Sequence, residues 1–375
     1  MPHLTDEFYM DRALQLAETA LSDVFPNPRV GAVLVSGGEI VGEGVHRYCG
    51  GPHAEIEAIS NAGERAEGAT LYLNLEPCCH HGETPPCTEA IIAAGISRVV
   101  FGIIDPDERV RGRGAGILRE SGIEVKSGVR ARESFELNYP FIFRRKTGRA
   151  LIAMKVAITL DGRIGVEEGG WFTSSRSREY VHYLRAYHQG VATGIGTVLA
   201  DNPSLDRRFY RGGKSAPVKI VFDSRLRFPP ESGWLDGEGR VIIYCSEQAQ
   251  EKSAARLERS GAEVVPIPAG ASGLELRSWR EDITAREITS VLVEGGAGIA
   301  TSMLQGEIAD ILYLFTAPRI AGSKAIPWYS GETEPSWIRG GGLELSGVED
   351  CGGDILAVYH SPLVSEHYLS LERSG

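Results

Sequence analysis

Along the first part of the chain, the spacing of apolar residues alternates between helical and strand-like periods. From Met10 to Ala17 they recur at intervals of three and four, which predicts a helix that begins near Thr5. Further helical patterns open at His53 and Thr88. Apolar runs predict strands at residues 31–35, 40–45, 69–75 and 98–104. Strands separated by helices predict a largely parallel sheet that is covered on both faces.

The pattern weakens between residues 127 and 149 and then resumes. The stretch 144–149 is basic and contains glycine, so we expect a domain boundary there, with one domain at 1–146 and a second at 147–375. Beyond it, helices are predicted at 178–187 and 299–304, and strands at 151–158, 218–222, 241–245, 290–294 and 311–316. The pattern therefore predicts two α/β domains.

The composition is that of an ordinary globular protein, and the net charge limits the kinds of partner that we expect. It has 375 residues, of which 42% are hydrophobic and 24% charged, enough for two domains with sizeable cores. Lys and Arg total 39 against 50 Asp and Glu, a formal net charge of −11. This balance argues against nucleic acid as a partner, because gripping phosphate backbones needs clustered Lys and Arg. An acidic net charge does not exclude small phosphorylated ligands, because they need only a few basic side chains.

No membrane segment is predicted. No apolar run approaches the ~18 residues of a membrane span, and residues 1–10 lack the basic start and apolar stretch of a signal peptide. We therefore expect a cytoplasmic protein with reduced cysteines. Cys78, Cys79 and Cys87 fall within ten residues, a density that favours metal binding or catalysis over disulfides.

The first candidate site is a zinc motif. His53-Ala54-Glu55 precedes Pro77-Cys78 and Pro86-Cys87, the order found in zinc-dependent nucleobase deaminases. One imidazole and two thiolates can hold Zn²⁺ tetrahedrally and leave the fourth position to water. The metal lowers the pKa of that water towards about 7, and a glutamate takes its proton and passes protons on to the ring and the departing ammonia. The predicted ligands are His53, Cys78 and Cys87, with Glu55 as the catalytic residue.

The motif leaves alternatives open. A structural zinc site would normally have four protein ligands and would give Glu55 no role. Cys79, His80 and His81 compete with Cys78 as ligands, and Cys78 is favoured because it directly follows the proline at the expected strand–helix junction. The eight residues between the two cysteine ligands exceed the two of the general deaminase pattern.

Longer motifs around these residues resemble a known family. Residues 26–31 (PNPRVG), 52–55 (PHAE) and 76–87 (EPCCHHGETPPC) resemble the deaminase half of the bifunctional riboflavin-biosynthesis deaminase/reductases. The resemblance implies a cytidine-deaminase-like three-layer domain. Its substrate would be a diaminopyrimidinone carrying a phosphoribosylamino group, deaminated to the corresponding uracil. By position, the resemblance implies substrate contacts from Asn27, His46, Thr84 and Asp105.

The chain also departs from that family's pattern. Cys79 stands where Ser is usual, Glu83 where Lys or Arg is usual, and Asp107 where Asn is usual. The loss of a cation at Glu83 weakens the expected hold on a phosphorylated substrate. Nearby basic residues that could compensate are Arg109, Arg111 and Arg113.

The second half carries weaker motifs of its own. Gly194-Ile195-Gly196 and Gly296-Ala297-Gly298 follow predicted strands, where backbone amides can bind a pyrophosphate, but neither completes the pattern of a Rossmann domain. Residues 153–164, 193–203 and 293–296 resemble the reductase half of the same family. That resemblance implies a dihydrofolate-reductase-like α/β domain in which NADPH reduces the ribosyl group to ribityl. It also implies assembly as a homodimer or higher homo-oligomer.

The resemblance assigns site residues in this half by position. The sugar-phosphate site would be lined by Lys155, Arg185, Leu205, Arg208 and Glu294. The cofactor would be lined by Ala157, Trp171, Thr197, Asp201, Ser224, Gly296, Ala297, Gly298, Ile299, Ala300, Thr301 and Ser302. Lys155 also stands out by itself, because a lysine in an otherwise apolar strand needs a partner or a task. The loop before Trp171 is shorter than the family pattern, with Gly170 where Ser is usual.

The leading hypothesis is a bifunctional enzyme of riboflavin biosynthesis that acts on a small-molecule substrate, first as a zinc deaminase and then as an NADPH-dependent reductase. One alternative is a deaminase with a silent reductase-like domain. Others are a nucleic-acid or nucleobase deaminase, and a non-enzymatic flavin-precursor-binding protein with structural zinc. The net charge of −11 disfavours the nucleic-acid reading.

Overall fold

The computed structural model describes residues 5–20, 22–81, 85–164, 170–207, 210, 216–237, 239–270, 273–332 and 342–372. The chain divides into two compact units, the first made mainly of residues 1–148 and the second mainly of 149–370. Among the described residues, no helix is both long and apolar enough to cross a lipid bilayer.

The first unit is a mixed sheet between two layers of helices. Its strands are β1 (Gly31–Ser36), β2 (Glu39–Val45), β3 (Thr70–Leu75), β4 (Arg98–Ile103) and β5 (Glu124–Ser127), in the spatial order β2-β1-β3-β4-β5. Its helices are α1 (Asp6–Glu18), α2 (Ala54–Ala62), α3 (Cys87–Ala93), α4 (Arg113–Glu120), α5 (Ala131–Leu137) and α6 (Tyr139–Thr147). Strand β1 pairs antiparallel with β2 and β3, so the predicted, largely parallel sheet is parallel only from β3 to β5.

The alternation of side chains along the strands builds both faces of this sheet. Leu34, Leu71 and Phe101 point to one side, where they are buried against α2, α3 and α4. Val33 and Val100 point to the other side and are buried against α1. The period of two explains why the strands could be recognised in the sequence.

Glycines let α2 lie close to the β1–β2 hairpin. A Cβ atom at Gly44 would overlap the backbone of α2 at Ala54 and Ala58, and one at Gly42 would overlap it at Ala58. Because glycine has no Cβ, the helix backbone can approach the strand. The start of α2, and the residues around it, are thereby held against the sheet.

The segment 127–149 differs from its prediction. It contains α5 and α6, whose residues Phe135, Tyr139 and Phe143 are buried. The basic stretch 144–149, where we expect the domain boundary, contains the last turn of α6, and Gly148 caps that helix in the left-handed conformation with a φ of 73°. Both helices are short, and α6 buries its first five residues in a row before an exposed basic turn, so the segment shows little helical periodicity.

In the second unit, helices pack against an open sheet. The elements up to the middle of the unit are β6 (Leu151–Thr159), α7 (Ser175–Tyr187), β7 (Gly190–Gly194), α8 (Ile195–Asp201), β8 (Val218–Phe222), β9 (Val241–Ser246), α9 (Glu251–Arg259) and β10 (Glu263–Ile267). They are followed by β11 (Ala269–Gly270), β12 (Gly273–Leu274), α10 (Leu276–Ala285), β13 (Ser290–Glu294), α11 (Ala297–Gln305), β14 (Ile311–Ala317), β15 (Glu344–Cys351), β16 (Asp354–His360) and α12 (Pro362–Glu372).

The strand order of this sheet places a ligand edge near its centre. The order is β10-β9-β8-β7-β13-β6-β14-β16-β15, parallel from β10 to β14 and antiparallel at β16 and β15. The carboxyl ends of β7, β13 and β6 therefore meet at one edge. In open parallel sheets, ligands bind outside these ends.

Candidate active sites

The predicted zinc ligands lie on three separate segments that the first unit brings together. His53 immediately precedes α2, Cys78 follows β3 through Pro77, and Cys87 is the first residue of α3. His53 Nδ1 lies 3.1 Å from Cys87 Sγ and 3.5 Å from Cys78 Sγ. All three donor atoms lie within 4.8 Å of one another.

This donor set fits a zinc ion. With Zn–S near 2.3 Å and Zn–N near 2.1 Å, a tetrahedral ion places its ligand atoms roughly 3.5 Å apart. The observed separations of His53 Nδ1 from the two sulfurs agree with that spacing. Imidazole and thiolate ligands favour zinc over magnesium or calcium, and three protein ligands leave one position for water.

The electrostatics of the cluster favour an ionised thiol beside a buried acid. Hydrogen bonds from the Cys87 thiol and from His53 lower the pKa of the Cys78 thiol. Glu55, in the first turn of α2, is only 4% exposed. Burial, reinforced by the negative charge of Cys78, raises the pKa of the Glu55 carboxyl. A carboxyl group with a raised pKa is suited to taking up and returning protons near neutral pH.

His46 and Asn27 form a hydrogen-bonded chain next to the metal ligands. His46 Nδ1 lies 2.9 Å from the carbonyl oxygen of Pro52, and its Nε2 lies 3.1 Å from Asn27 Nδ2. Since the carbonyl can only accept, Nδ1 carries the proton and Nε2 accepts from the Asn27 amide. Burial lowers the pKa of His46, which keeps the ring neutral for both bonds. The orientation of the Asn27 amide is thereby fixed.

A cavity of about 290 Å³ opens on this cluster. It is lined by three predicted substrate residues, Asn27, His46 and Asp105, together with the zinc ligands His53 and Cys78 and the acid Glu55. Burial raises the pKa of Asp105 to about 7. Thr84 lies outside the described residues, as does Glu83.

The competing metal ligands lie elsewhere. Cys79 Sγ donates towards the carbonyl oxygen of Arg109 at 3.6 Å, and His81 is exposed. His80 lines the cavity, and its Nδ1 is buried without a hydrogen-bond partner in the part of the chain that the structure describes. The cluster of metal-binding groups found among the described residues contains His53 with Cys78 and Cys87.

In the second unit, three predicted residues form a buried ion cluster at the ligand edge. Glu294 ends β13 and is the register neighbour of Lys155 on β6. Its carboxylate accepts from Arg185 Nε at 2.5 Å and from Nη2 at 3.0 Å, and lies 3.9 Å from Lys155 Nζ. Burial opposes ionisation of Glu294, but the two cations outweigh it and lower its pKa. Burial lowers the pKa of Lys155.

A glycine turn next to this cluster has an unsatisfied polar neighbour. Gly295 and Gly296 join β13 to α11, and a Cβ at Gly295 would lie 3.6 Å from Thr193 Oγ1. In the described part of the chain, that hydroxyl is buried and has no hydrogen-bond partner. The N-terminus of α11, the glycines and an orphaned hydroxyl together fit the phosphate groups of a dinucleotide.

The other predicted cofactor and substrate residues are more scattered. Ala157 lies on β6, and Thr197 and the exposed Asp201 lie on α8. Ser224 follows β8, and Gly296 to Ser302 form the glycine turn and the first turns of α11. Trp171 is 76% exposed, with the Arg178 guanidinium 5.5 Å from its ring centre.

Leu205 can contact a ligand only through its backbone, because its side chain is buried in an apolar cluster with Val191 and Trp234. Its backbone is left-handed, with a φ of 47°. Arg208 and loop residues 165–169 before Trp171 lie outside the described residues.

Sequence reasoning missed residues that the structure places at the two sites. Arg145 lines the first cavity from α6, but it falls in the stretch where the sequence predicts only a domain boundary. Thr193 lies in β7 and begins the segment 193–203 that resembles the reductase half, but that resemblance assigned it no role. Recognition of α6 as a helix would have drawn attention to Arg145, whereas only the position of Thr193 beside the glycine turn identifies it.

Comparisons with known proteins match both units of the chain. The family model described as cytidine and deoxycytidylate deaminase zinc-binding region matches residues 4–103, and the RibD C-terminal domain model matches 150–357. The chain is 40% identical over 332 residues to riboflavin biosynthesis protein RibD of Synechocystis sp., covering 88% of this chain and 89% of that protein. It is 38% identical over 335 residues to the Escherichia coli RibD, covering 86% and 90%.

Solved structures show the same likeness over both units. A Thermotoga maritima diaminohydroxyphosphoribosylaminopyrimidine deaminase/5-amino-6-(5-phosphoribosylamino)uracil reductase matches with a TM-score of 0.80 at 36% identity, covering 95% of this chain and 98% of that one. Acinetobacter baumannii RibD matches with a TM-score of 0.81 at 32% identity and the same coverage.

Fold and site together define a two-domain enzyme, with a cytidine-deaminase-like zinc-binding domain followed by a dihydrofolate-reductase-like domain. Relatives at 38–40% identity span most of the chain. The chain belongs to the RibD family of bifunctional deaminase/reductases in riboflavin biosynthesis.

Proposed function

We propose that the first domain deaminates 2,5-diamino-6-(5-phosphoribosylamino)pyrimidin-4(3H)-one to 5-amino-6-(5-phosphoribosylamino)uracil. The observation that carries this proposal is the convergence of His53, Cys78 and Cys87 beside a cavity that is lined by the first two of them and by Glu55. A zinc ion bound by these three residues would lower the pKa of a coordinated water. Net hydrolysis exchanges the 2-amino group for oxygen and releases ammonia.

The protein's own groups would move the protons and hold the pyrimidine. Glu55 accepts a proton from the water and returns protons to the ring nitrogen and the leaving amine, a role supported by its raised pKa. The fixed Asn27 amide, oriented by His46, presents hydrogen-bonding groups to the ring edge. Asp105 lines the same cavity and supplies a further acceptor. Glu55 therefore does the proton transfer, while the other residues orient the substrate.

The second domain is proposed to reduce the ribosyl group of the deaminated product to ribityl, with NADPH as hydride donor. NADPH, when bound, supplies the hydride for C1′ of the ring-opened sugar. The glycine turn after β13 and the Thr193 hydroxyl are suited to its phosphates. Lys155, Arg185 and Glu294 lie at the same edge of the sheet and form a polar patch for the sugar phosphate.

A mass-spectrometric time course with zinc and NADPH tests both steps. Product with the amine exchanged for oxygen and two added hydrogens supports the full proposal. Deaminated product that accumulates without added hydrogens would show that the second domain has no reductase activity. Absence of any amine exchange by the zinc-loaded protein would refute the deaminase assignment.

Glu55→Gln separates catalytic from structural zinc. It is expected to lower deamination by about 10²- to 10⁴-fold, because it removes the proton carrier, while leaving the zinc content unchanged. Glu89→Gln, an exposed acid in the first turn of α3, serves as the matched control and should retain activity. Equal deamination rates for Glu55→Gln and the control would contradict the assigned role.

A further inference from the structure

The wall of the first cavity carries a cluster of three charged residues that the proposed chemistry does not use: Asp107, Arg109 and Arg145. Asp107 follows β4 through a short loop, and Arg145 reaches the cavity from the last turn of α6. The Asp107 side chain is 10% exposed. Hydrogen bonds from Arg109 lower the pKa of Asp107, so it is ionised at neutral pH.

Arg109 is hydrogen-bonded to Asp107, whereas Arg145 is not. Arg109 makes two side-chain hydrogen bonds to the carboxylate, at 3.0 Å from Nε and at 2.7 Å from Nη2. Arg145 lies 3.6 Å from it through Nη1 alone, beyond hydrogen-bond distance. The Arg145 guanidinium carbon sits 5.4 Å from the centre of the Phe141 ring, which holds the side chain in place. Within the described residues, Arg145 therefore keeps its hydrogen-bond donors available.

The acidic residues around the cavity cannot bind a phosphate group, so a phosphorylated ligand depends on the cations there. Glu76 accepts from the backbone amides of Asp105, Gly112 and Ala115 and is fully engaged by the loop and the start of α4. Burial raises the pKa values of Asp105 and Glu55. A dianionic group entering this cavity needs a cation that has donors to spare. Of the described residues that line it, Arg145 meets that requirement.

We propose that Arg145 binds the phosphate group of the deaminase substrate and that Asp107 weakens this binding by competing for the same guanidinium. The inference rests on the proposed deaminase function, since it names the residue that recognises the phosphorylated end of that substrate. Arginine suits this role because its planar fork donates two parallel hydrogen bonds to phosphate. Arg145 is thus a specificity-determining residue.

Steady-state kinetics of zinc-loaded full-length variants test the proposal. Arg145→Gln is expected to raise KM for the phosphorylated substrate about 10- to 100-fold with kcat nearly unchanged, because charge-assisted hydrogen bonds contribute mainly to binding. On the dephosphorylated nucleoside, Arg145→Gln and wild type should be equal. Asp107→Asn should lower KM for the phosphorylated substrate about fivefold, since it removes a like charge near the phosphate. Arg119→Gln, which changes an exposed arginine on α4 outside the cavity lining, is the matched control and should change KM less than threefold.

Two outcomes would overturn the proposal. One is an unchanged KM in Arg145→Gln, and the other is an equal loss on the phosphorylated and dephosphorylated substrates, which would indicate a structural role. Calorimetric titration with ribose 5-phosphate distinguishes this failure from failure of the proposed function. If wild type does not deaminate but binds the probe more strongly than Arg145→Gln, only the proposed reaction fails. Turnover with an Arg145-independent KM refutes only the phosphate site.

Discussion

Replacing Glu294 by glutamine tests whether the ion cluster of the second unit is held together by its single carboxylate. The residue is 8% exposed, and its oxygens contact Arg185 and Lys155. The side chains of those two cations are 12% and 20% exposed. Glu294→Gln keeps the shape of the side chain but leaves two poorly solvated cations without an anion.

The expected loss of stability follows from this burial. Breaking a buried ion pair by removing one partner costs about 3–5 kcal/mol, because the remaining charge stays desolvated. The glutamine oxygen still accepts one hydrogen bond from Arg185, and Lys155 can release its proton, since burial already lowers its pKa. We therefore expect the low end of this range, about 3 kcal/mol. With a urea m-value of about 2–3 kcal/mol/M, the unfolding midpoint should fall by about 1 M.

Tryptophan fluorescence measures this unit without interference from the other. All five tryptophans of the chain lie beyond residue 149, and Trp279 and Trp234 are buried in the second unit. Urea titrations of wild type and Glu294→Gln, followed by tryptophan emission, give the two midpoints. Glu258→Gln, an exposed acid on α9, serves as the control. A midpoint for Glu294→Gln within about 0.2 M of the control would refute the assigned burial penalty.

Three further predictions concern the first unit. Asp6 accepts from Arg98, Lys126 and Tyr72, which together lower its pKa, so its contribution of about 2 kcal/mol is fully present above pH 4 and is lost progressively as the pH falls towards the folded-state pKa. Hydrogen exchange of α1 should show Asp6→Asn destabilised at pH 7, with a smaller difference from wild type near pH 2. Gly44→Ala should lower zinc affinity at least tenfold by displacing α2, while Gly116→Ala, whose Cβ meets nothing within 4 Å, should not; a chelator competition assay compares them. Cys87→Ser should likewise release zinc about 10²-fold more readily, as judged by the same assay.

The zinc motif was readable from the sequence because its chemistry restricts residue types and its segments are local. A histidine before one helix and a cysteine at the start of another mark their own positions, and both patterns were visible. The strands at 218–222 and 290–294 were equally clear, since most of their residues are apolar and β-branched or aromatic. For these elements, local sequence and tertiary environment favour the same structure.

The missed features depend on contacts between distant segments. The pairing of Arg185 with Glu294 joins residues 109 positions apart, and no local pattern records it. Helix α6 hid Arg145, because its first five residues are buried in a row and its last turn is basic and exposed, which leaves no helical alternation to recognise. Strand β15, at the edge of the sheet, was missed for a different reason. Most of β15 is exposed and polar, so it lacked the apolar run of a buried strand.

The charges at the two sites are balanced in different ways, because the first site is built from thiols and the second from an acid and two cations. At the first site, the hydrogen bond between the two thiols lowers the pKa of Cys78 and raises that of Cys87, so a cation from outside is needed to bring both sulfurs to the thiolate form. At the second site, Arg185 and Lys155 are already balanced by Glu294 within the chain. The charges of the second site are therefore balanced by its own side chains before any ligand binds, whereas the thiolates of the first, although already at zinc-binding spacing, need a bound cation to balance them.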